Sequence, residues 1–422
     1  MLPEDCQPKE VPEEKVEEFA LRAFFYDYCV VSTNHSLSRG YLDGLELMLH
    51  HLGFQSDLAK ACKVVAFADH GIKLRRPVLT RKAELLYHEL LGSLARAIEN
   101  PAFAHTAEPL MIAMLLGLYE MIMASDAHPS SHNAHARGVA AILQIENSPL
   151  DLFGAVQFIR SGHSLVLNGV VQNCGMFSAP QSSNLVQCLD SLLLTFGPFW
   201  GKADALLATP LIGSHDLYLL KEEAIALDRD FAKWQEAQVK GFKPRTVGHV
   251  SQGPAGSNLG VGYWPGRVDT YFDLYVAGVW NTSRTARILL ISLTLKLSKI
   301  LNDNQDHARE HQDALHLVED IVASIPYHLT EDPHAFLRDL GQHAAAMKPG
   351  KSVGGLLLMH PIYVASKLLI VPRRMREYMT ECLAWIGMYM GLGQASLFAK
   401  TPQIHEQYLA DGCTLVWAGI LV

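Results

Sequence analysis

The sequence predicts an all-α fold. Three observations lead there: apolar residues recur at helical spacing through most of the chain, alternating runs of β-branched residues are scarce, and the composition is that of a globular protein. Of 422 residues, 49% are hydrophobic and 18% charged, with 20 Pro and 31 Gly spread along the chain, which excludes disorder and collagen-like repeats. That length buries a large core, and no repeat of fixed period divides it. We therefore expect one large helical bundle or array with an internal pocket, spanning residues 19–422.

Residues 1–18 carry Pro3, Pro8, Pro12 and several glutamates, the reverse of a basic leader followed by an apolar stretch, and read as a flexible acidic segment without a signal peptide. Helical segments follow at 19–31, 41–52, 57–71, 80–99 and 108–125, separated by polar or Pro-bearing breaks. The longest apolar stretches, 110–124 and 354–371, are interrupted by Glu120 and by His360, Pro361 and Lys367, so no membrane span is expected. Residues 241–266 hold Gly248, Gly253, Gly256, Gly260 and Gly262 with Pro244, Pro254 and Pro265, and read as a long, poorly ordered loop. Residues 267–301 read as one amphipathic helix. Phe272, Tyr275, Val279, Ala286, Leu290, Leu293 and Leu297 lie on one face, with Asp269, Asp273, Trp280, Arg284, Arg287 and Thr294 roughly opposite.

The charge balance, 35 Lys+Arg against 43 Asp+Glu for a net −8, gives no positive field to hold a phosphate backbone, so no direct nucleic-acid contact is expected. The seven cysteines, Cys6, Cys29, Cys62, Cys174, Cys188, Cys382 and Cys413, are widely spaced with no Cys-x-x-Cys pair, which excludes a zinc ribbon and a disulfide framework and fits an intracellular chain.

Among candidate chemical motifs, His307, Glu310 and His311 match His-x-x-Glu-His, but the polar residues 302–306 before them mark the solvated start of a helix. Asp126, His128, His132 and His135 crowd a turn that Ser130 or Ser131 explains as a helix cap. Gly350-Lys351-Ser352 ends like a P-loop, yet the required first glycine falls on Ala345. No nucleophile elbow, dinucleotide fingerprint or aspartate-rich diphosphate motif occurs. The polar stripe of 267–301 admits two readings. Asp269 and Asp273, at i and i+4, could hold a divalent cation while Arg284 and Arg287 face an anion; or the stripe is solvated or internally paired, which the residues alone favour.

The run Tyr263-Trp-Pro-Gly-Arg-Val-Asp-Thr-Tyr-Phe-Asp-Leu274, with Ala277, Trp280-Asn281, Arg284 and Arg287-Ile-Leu-Leu290 after it, resembles the signature of the fungal-specific transcription factor domain, the helical region downstream of Zn2Cys6 clusters. Residues 115–120 with His135, Gly138 and Leu143-Gln144, then Leu227-Asp228 through Trp234, Ile325-Pro326-Tyr327, 356–361 and 391–395 agree in order, so the resemblance spans nearly the whole chain. Cys6 stands alone where the family usually carries six cysteines. His132 and His360 stand where tryptophans are expected, which, if they face inward, enlarges a cavity and makes it polar.

The resemblance implies a stand-alone regulatory protein that binds a small molecule or a partner factor, with no DNA-binding module in this chain and no cofactor. It would be nuclear, and homodimerisation is compatible with it. Ligand-binding candidates are Asp269, Asp273, Trp280, Asn281, Arg284, Arg287, Lys299, His132, His135 and His360. The alternative is a cytoplasmic helical enzyme of secondary metabolism, a non-canonical sesquiterpene cyclase with Mg2+ on Asp269 and Asp273, diphosphate on Arg284, Arg287 or Lys299, and Trp280 steadying carbocations.

Overall fold

The computed structural model describes residues 13–99, 107–127, 132–143, 189–209, 213–251, 260–303, 306–340, 347–404, 413 and 415–417. Helices dominate these residues: α1 (Glu13–Tyr28), α2 (Leu45–Leu52), α3 (Asp57–Lys73), α4 (Pro77–Ile98), α5 (Ala107–Met123), α6 (His132–Leu143), α7 (Leu189–Leu207) and α8 (Ser214–Ala237). After a two-stranded ribbon, β1 (Arg245–Val250) and β2 (Gly266–Thr270), come α9 (Leu274–Ile300), α10 (Ala308–Leu329), α11 (Pro333–Asp339), α12 (Ser352–Lys367), α13 (Arg373–Tyr389) and α14 (Gly393–Lys400). The all-α class is correct. Among the described residues no helix is long and apolar enough to cross a membrane.

Local chemistry sets several boundaries. The Ser56 hydroxyl accepts from the Ala59 amide to start α3, and Pro77 opens α4, where its missing N–H costs nothing. Two boundaries differ from the sequence reading. The acidic stretch read as flexible to 18 is helical from Glu13: glutamates suit the positive end of a helix, and Val16 packs on the core. Residues 1–12 lie outside the described residues.

The second difference matters more. The Gly/Pro-rich stretch 241–266 contains β1, and the helix read as starting at 267 begins only at Leu274. β1 pairs antiparallel with β2 from Arg245↔Thr270 to Val250↔Gly266, with an irregularity between Thr246 and Gly248. Val268 turns into the core, and Asp273 then caps α9 by accepting from the Val276 amide at 2.8 Å. A periodicity count merges strand and helix here because both place apolar residues close together.

Helix α12 occupies the centre, buried at every residue from Ser352 to Ser366 and packed by α9, α10 and α13, with α1 and α14 at its margins. Gly354 and Gly355 weaken it as a helix but let it approach its neighbours: a Cβ at Gly354 would stand 1.9 Å from the His328 carbonyl oxygen of α10. One apolar cluster fills the space among α1–α6, α10 and α12–α14, and a second joins α7, α8 and α9.

Replacing Gly354 by Ala should destabilise the protein by about 3 kcal/mol or more, because the clash is with backbone that cannot rotate away. Gly138→Ala in α6, where nothing lies within 4 Å of the added Cβ, should stabilise by up to about 1 kcal/mol. Urea unfolding of both variants checks this pair of opposite signs.

Candidate functional site

The polar stripe of α9 points inward. Arg284 is 1% exposed, and burying a guanidinium demands partners on every side. Its Nη1 donates to the Tyr271 hydroxyl at 2.7 Å and to Asn281 Oδ1 at 2.8 Å. Its Nε makes no hydrogen bond but lies 3.5 Å from Asp320 Oδ2, and its Cζ sits over the rings of Trp280 (5.5 Å) and Tyr271 (5.7 Å). Asp320, from α10, also pairs with Arg267 of β2, whose Nε donates to Asp269 Oδ2 at 3.1 Å. Asp269 accepts in addition from Thr246 on β1 at 2.6 Å. The chain of charges thus runs Asp269, Arg267, Asp320, Arg284 and ties the ribbon to α9 and α10.

On the other side of Arg284, Asn281 Nδ2 donates to Ser324 Oγ at 2.9 Å and to His328 Nε2 at 3.2 Å. With Nε2 accepting, Nδ1 carries the proton and donates to the Gly354 carbonyl at 3.1 Å, so His328 is the neutral tautomer. Burial pushes its pKa down to about 3, and the positive Arg284 adds to the shift. Arg287, one turn along, donates to Asp228 Oδ1 at 2.8 Å and to Gln235 Oε1 at 2.9 Å, both on α8. The Trp280 indole donates to the Phe242 carbonyl at 2.7 Å.

Asp269 and Asp273 therefore do not form an i, i+4 pair, since one belongs to β2 and the other caps α9. Burial raises the Asp273 carboxyl, opposed by the Ser38 side chain and the Val276 amide. Lys299 lies exposed in the last turn of α9, fifteen residues and about 22 Å of helix beyond Arg284, too far to share a ligand with it. What the stripe does chemically is compensate itself. The partners that make this so, Asp320, His328, Ser324, Asp228 and Gln235, escaped the sequence reading because each comes from another helix.

The candidate histidines also face the interior. His132 opens α6 and is buried, as is His135, whose Nε2 meets the Tyr87 hydroxyl at 3.0 Å; Tyr87 stacks on Tyr119 at 4.4 Å. Burial holds the His135 imidazole below its usual range. His360 of α12 touches the Phe398 ring at 5.5 Å in an edge arrangement, and Phe398 stacks on Tyr363 at 4.0 Å. Burial, then the neighbouring His132, depresses the His360 pKa to about 3. The other motif residues remain at the periphery: Asp126 pairs with Lys400 at 2.6 Å on the surface, His307 lies 3.8 Å from Glu310, and His128 is outside the described residues.

One polar cluster carried no sequence signal. Asp27 of α1 and Asp69 and His70 of α3 place ligand atoms within 4.8 Å of one another. Lys73 fills the space: its Nζ lies 2.7 Å from Asp69, 3.5 Å from Asp27 and 2.5 Å from Ser352 Oγ. Burial raises Asp69 to about 6 against the pull of Lys73. Gly391, at φ 74°, lets the backbone close over Asp69, where a Cβ would stand 2.4 Å from Oδ1.

Two outcomes follow from these groups. Arg284→Met should cost about 3–5 kcal/mol in urea unfolding, with or without magnesium, because Asp320, Asn281 and Tyr271 lose their shared partner. His328 and His360 titrate near 3 when folded against an ordinary 6.5, so the unfolded chain binds more protons between those values. Stability should be full above about pH 6.5 and fall on acidification by roughly 1.4 kcal/mol per pH unit for each histidine. Urea unfolding at pH 7 and pH 5 measures the slope, which His360→Phe should reduce.

No family model matches the chain, and no solved structure matches it. Among curated proteins, the transcription factor dbaG of Emericella nidulans is 56% identical over 423 residues, covering 100% of this chain and 100% of the relative. With an identity of that size over the full length, the chain belongs to the family of this transcription factor.

Proposed function

We propose that this transcription-factor-type protein regulates transcription in the nucleus by binding a small molecule or a partner factor, and that the partner supplies the contact with DNA. The observation that carries the reading is the full-length relative named a transcription factor. Two features support the mode of action. The 422 residues contain no six-cysteine cluster, and their net charge of −8 repels a phosphate backbone.

The geometry of α9 favours this reading over a magnesium-dependent cyclase. A diphosphate-ionising site needs carboxylates converging on metal and cations converging on phosphate, both open to substrate. Here Asp269 is held by Thr246 and Arg267, Asp273 by the α9 amide, and Arg287 by Asp228 and Gln235. Each group already has a partner within the protein.

The test has two arms. Selection from random duplexes with the purified chain should recover no consensus site at physiological salt, and deleting the gene should change the transcript levels of a defined gene set. Recovery of a consensus, or a deletion that leaves transcripts unchanged while the protein converts farnesyl diphosphate to a hydrocarbon, would overturn the reading.

A further inference from the structure

Helices α1 and α2 both pack on α3, and residues of all three line a cleft of about 460 Å³ that opens to solvent. From α1 come Glu18, Leu21, Arg22 and Phe25, which recur every three or four residues and so share one face. Glu46 and His50 stand one turn apart on α2, and the His50 ring meets that of Phe54 edge-on at 5.1 Å. The buried Lys63 of α3 also lines the cleft, and its Nζ donates to Glu17 Oε2 at 2.8 Å.

Two properties indicate the occupant. The first is charge. Apart from His50, three carboxylates border the cleft against two cations: Glu18 pairs with Arg22 at 2.6 Å and Glu17 with Lys63. The Glu46 carboxylate has neither an ion pair nor a hydrogen bond among the described residues. The cleft therefore favours a positive group beside Glu46, and the chain's net charge of −8 adds to that field. The second property is apolar surface that runs past the cleft on both helices. Phe54 is exposed at its edge, Leu47 is exposed one turn before His50, and Phe19 is exposed one turn before Arg22.

We propose that this cleft docks a basic amphipathic segment of a partner protein, with an apolar side chain seated on Leu21, Phe25 and Phe54 and a lysine or arginine beside Glu46. A small molecule in the cleft would leave Leu47 and Phe19 in water, whereas a protein segment laid across it covers them. A second copy of this chain would bring its own excess of carboxylates to a border already rich in them. The apolar anchor supplies most of the affinity, and the charge at Glu46 selects and orients, because an exposed ion pair adds little by itself. The proposal names the chemistry of the partner factor in the function proposed above and rests on that reading for its biological meaning.

The probe is a phage-displayed library of random peptides selected on the full chain; the most enriched peptide is then labelled with fluorescein and titrated by anisotropy. Enriched sequences should combine lysine or arginine with leucine or aromatic residues. Glu46→Lys should weaken the selected peptide at least about fivefold, and Phe54→Ala at least about tenfold. Glu319→Lys, at an exposed position of α10 outside the cleft, changes the net charge equally and should leave affinity within about twofold. Glu46→Lys alters an exposed side chain, so it decides the matter if Phe54→Ala fails to fold. The proposal is overturned by no enrichment, by enrichment of acidic or wholly polar peptides, by equal affinity in wild type and Glu46→Lys, or by an equal loss in Glu319→Lys. A dimer in sedimentation that Phe54→Ala dissociates would also overturn it, by giving the cleft to a second copy. Failure of the regulator reading would appear instead in the transcripts, with these titrations unchanged.

Discussion

Arg284 is the constraint around which the rest of the structure is arranged. A guanidinium at 1% exposure has lost its water, and its charge survives only if the protein surrounds it with dipoles, π faces and a carboxylate. Tyr271, Asn281, Trp280 and Asp320 supply these, and their placement fixes the neighbouring elements. Asp320 brings in Arg267 and so the ribbon; Asn281 brings in Ser324 and His328 and so α10; His328 meets Gly354 and so the central helix α12. Gly354 must be glycine for that last contact to close. A network this connected rigidifies the core, because no member can move without stranding another.

Much of the fold was legible in the sequence, and what was missed has physical causes. Helical periodicity located α3, α4 and α5, where the segments 57–71, 80–99 and 108–125 lie between clear breaks. It failed at β1 and β2, whose strands of six and five residues are too short to show alternation against the glycines around them. The polar stripe on α9 was found, but its meaning was not, since a helical wheel shows which residues share a face and says nothing of what the face meets. Asp320 and His328 lie on α10, Asp228 and Gln235 on α8. The Asp27–Asp69–Lys73–Ser352 cluster joins Asp69 to Ser352, 283 positions away, so no local pattern could reveal it. The histidines are the contrary case: His132 and His360 drew attention as polar rings where large apolar ones were expected, and both are buried.

These two polar regions differ in kind. Around Arg284 each charge has an opposite charge within the protein, Asp320 for Arg284 and Asp228 for Arg287, although Arg284 Nε itself makes no hydrogen bond. Around His360, which meets the buried Phe398 ring edge-on, neither ring nitrogen has a hydrogen-bond partner among the described residues. Both regions meet at α12, which carries His360, accepts the His328 hydrogen bond at Gly354, and touches α9, α10 and α13 together.

The claim that the α9 stripe is a closed structural network is tested most directly by a double-mutant cycle on Arg284 and Asp320. Unfolding free energies of wild type, Arg284→Met, Asp320→Asn and the double variant isolate the coupling between the two. The network predicts about 1–3 kcal/mol of favourable coupling, insensitive to magnesium and diphosphate. Coupling near zero in the absence of ligand, with stabilisation appearing only when magnesium and diphosphate are added, would contradict it.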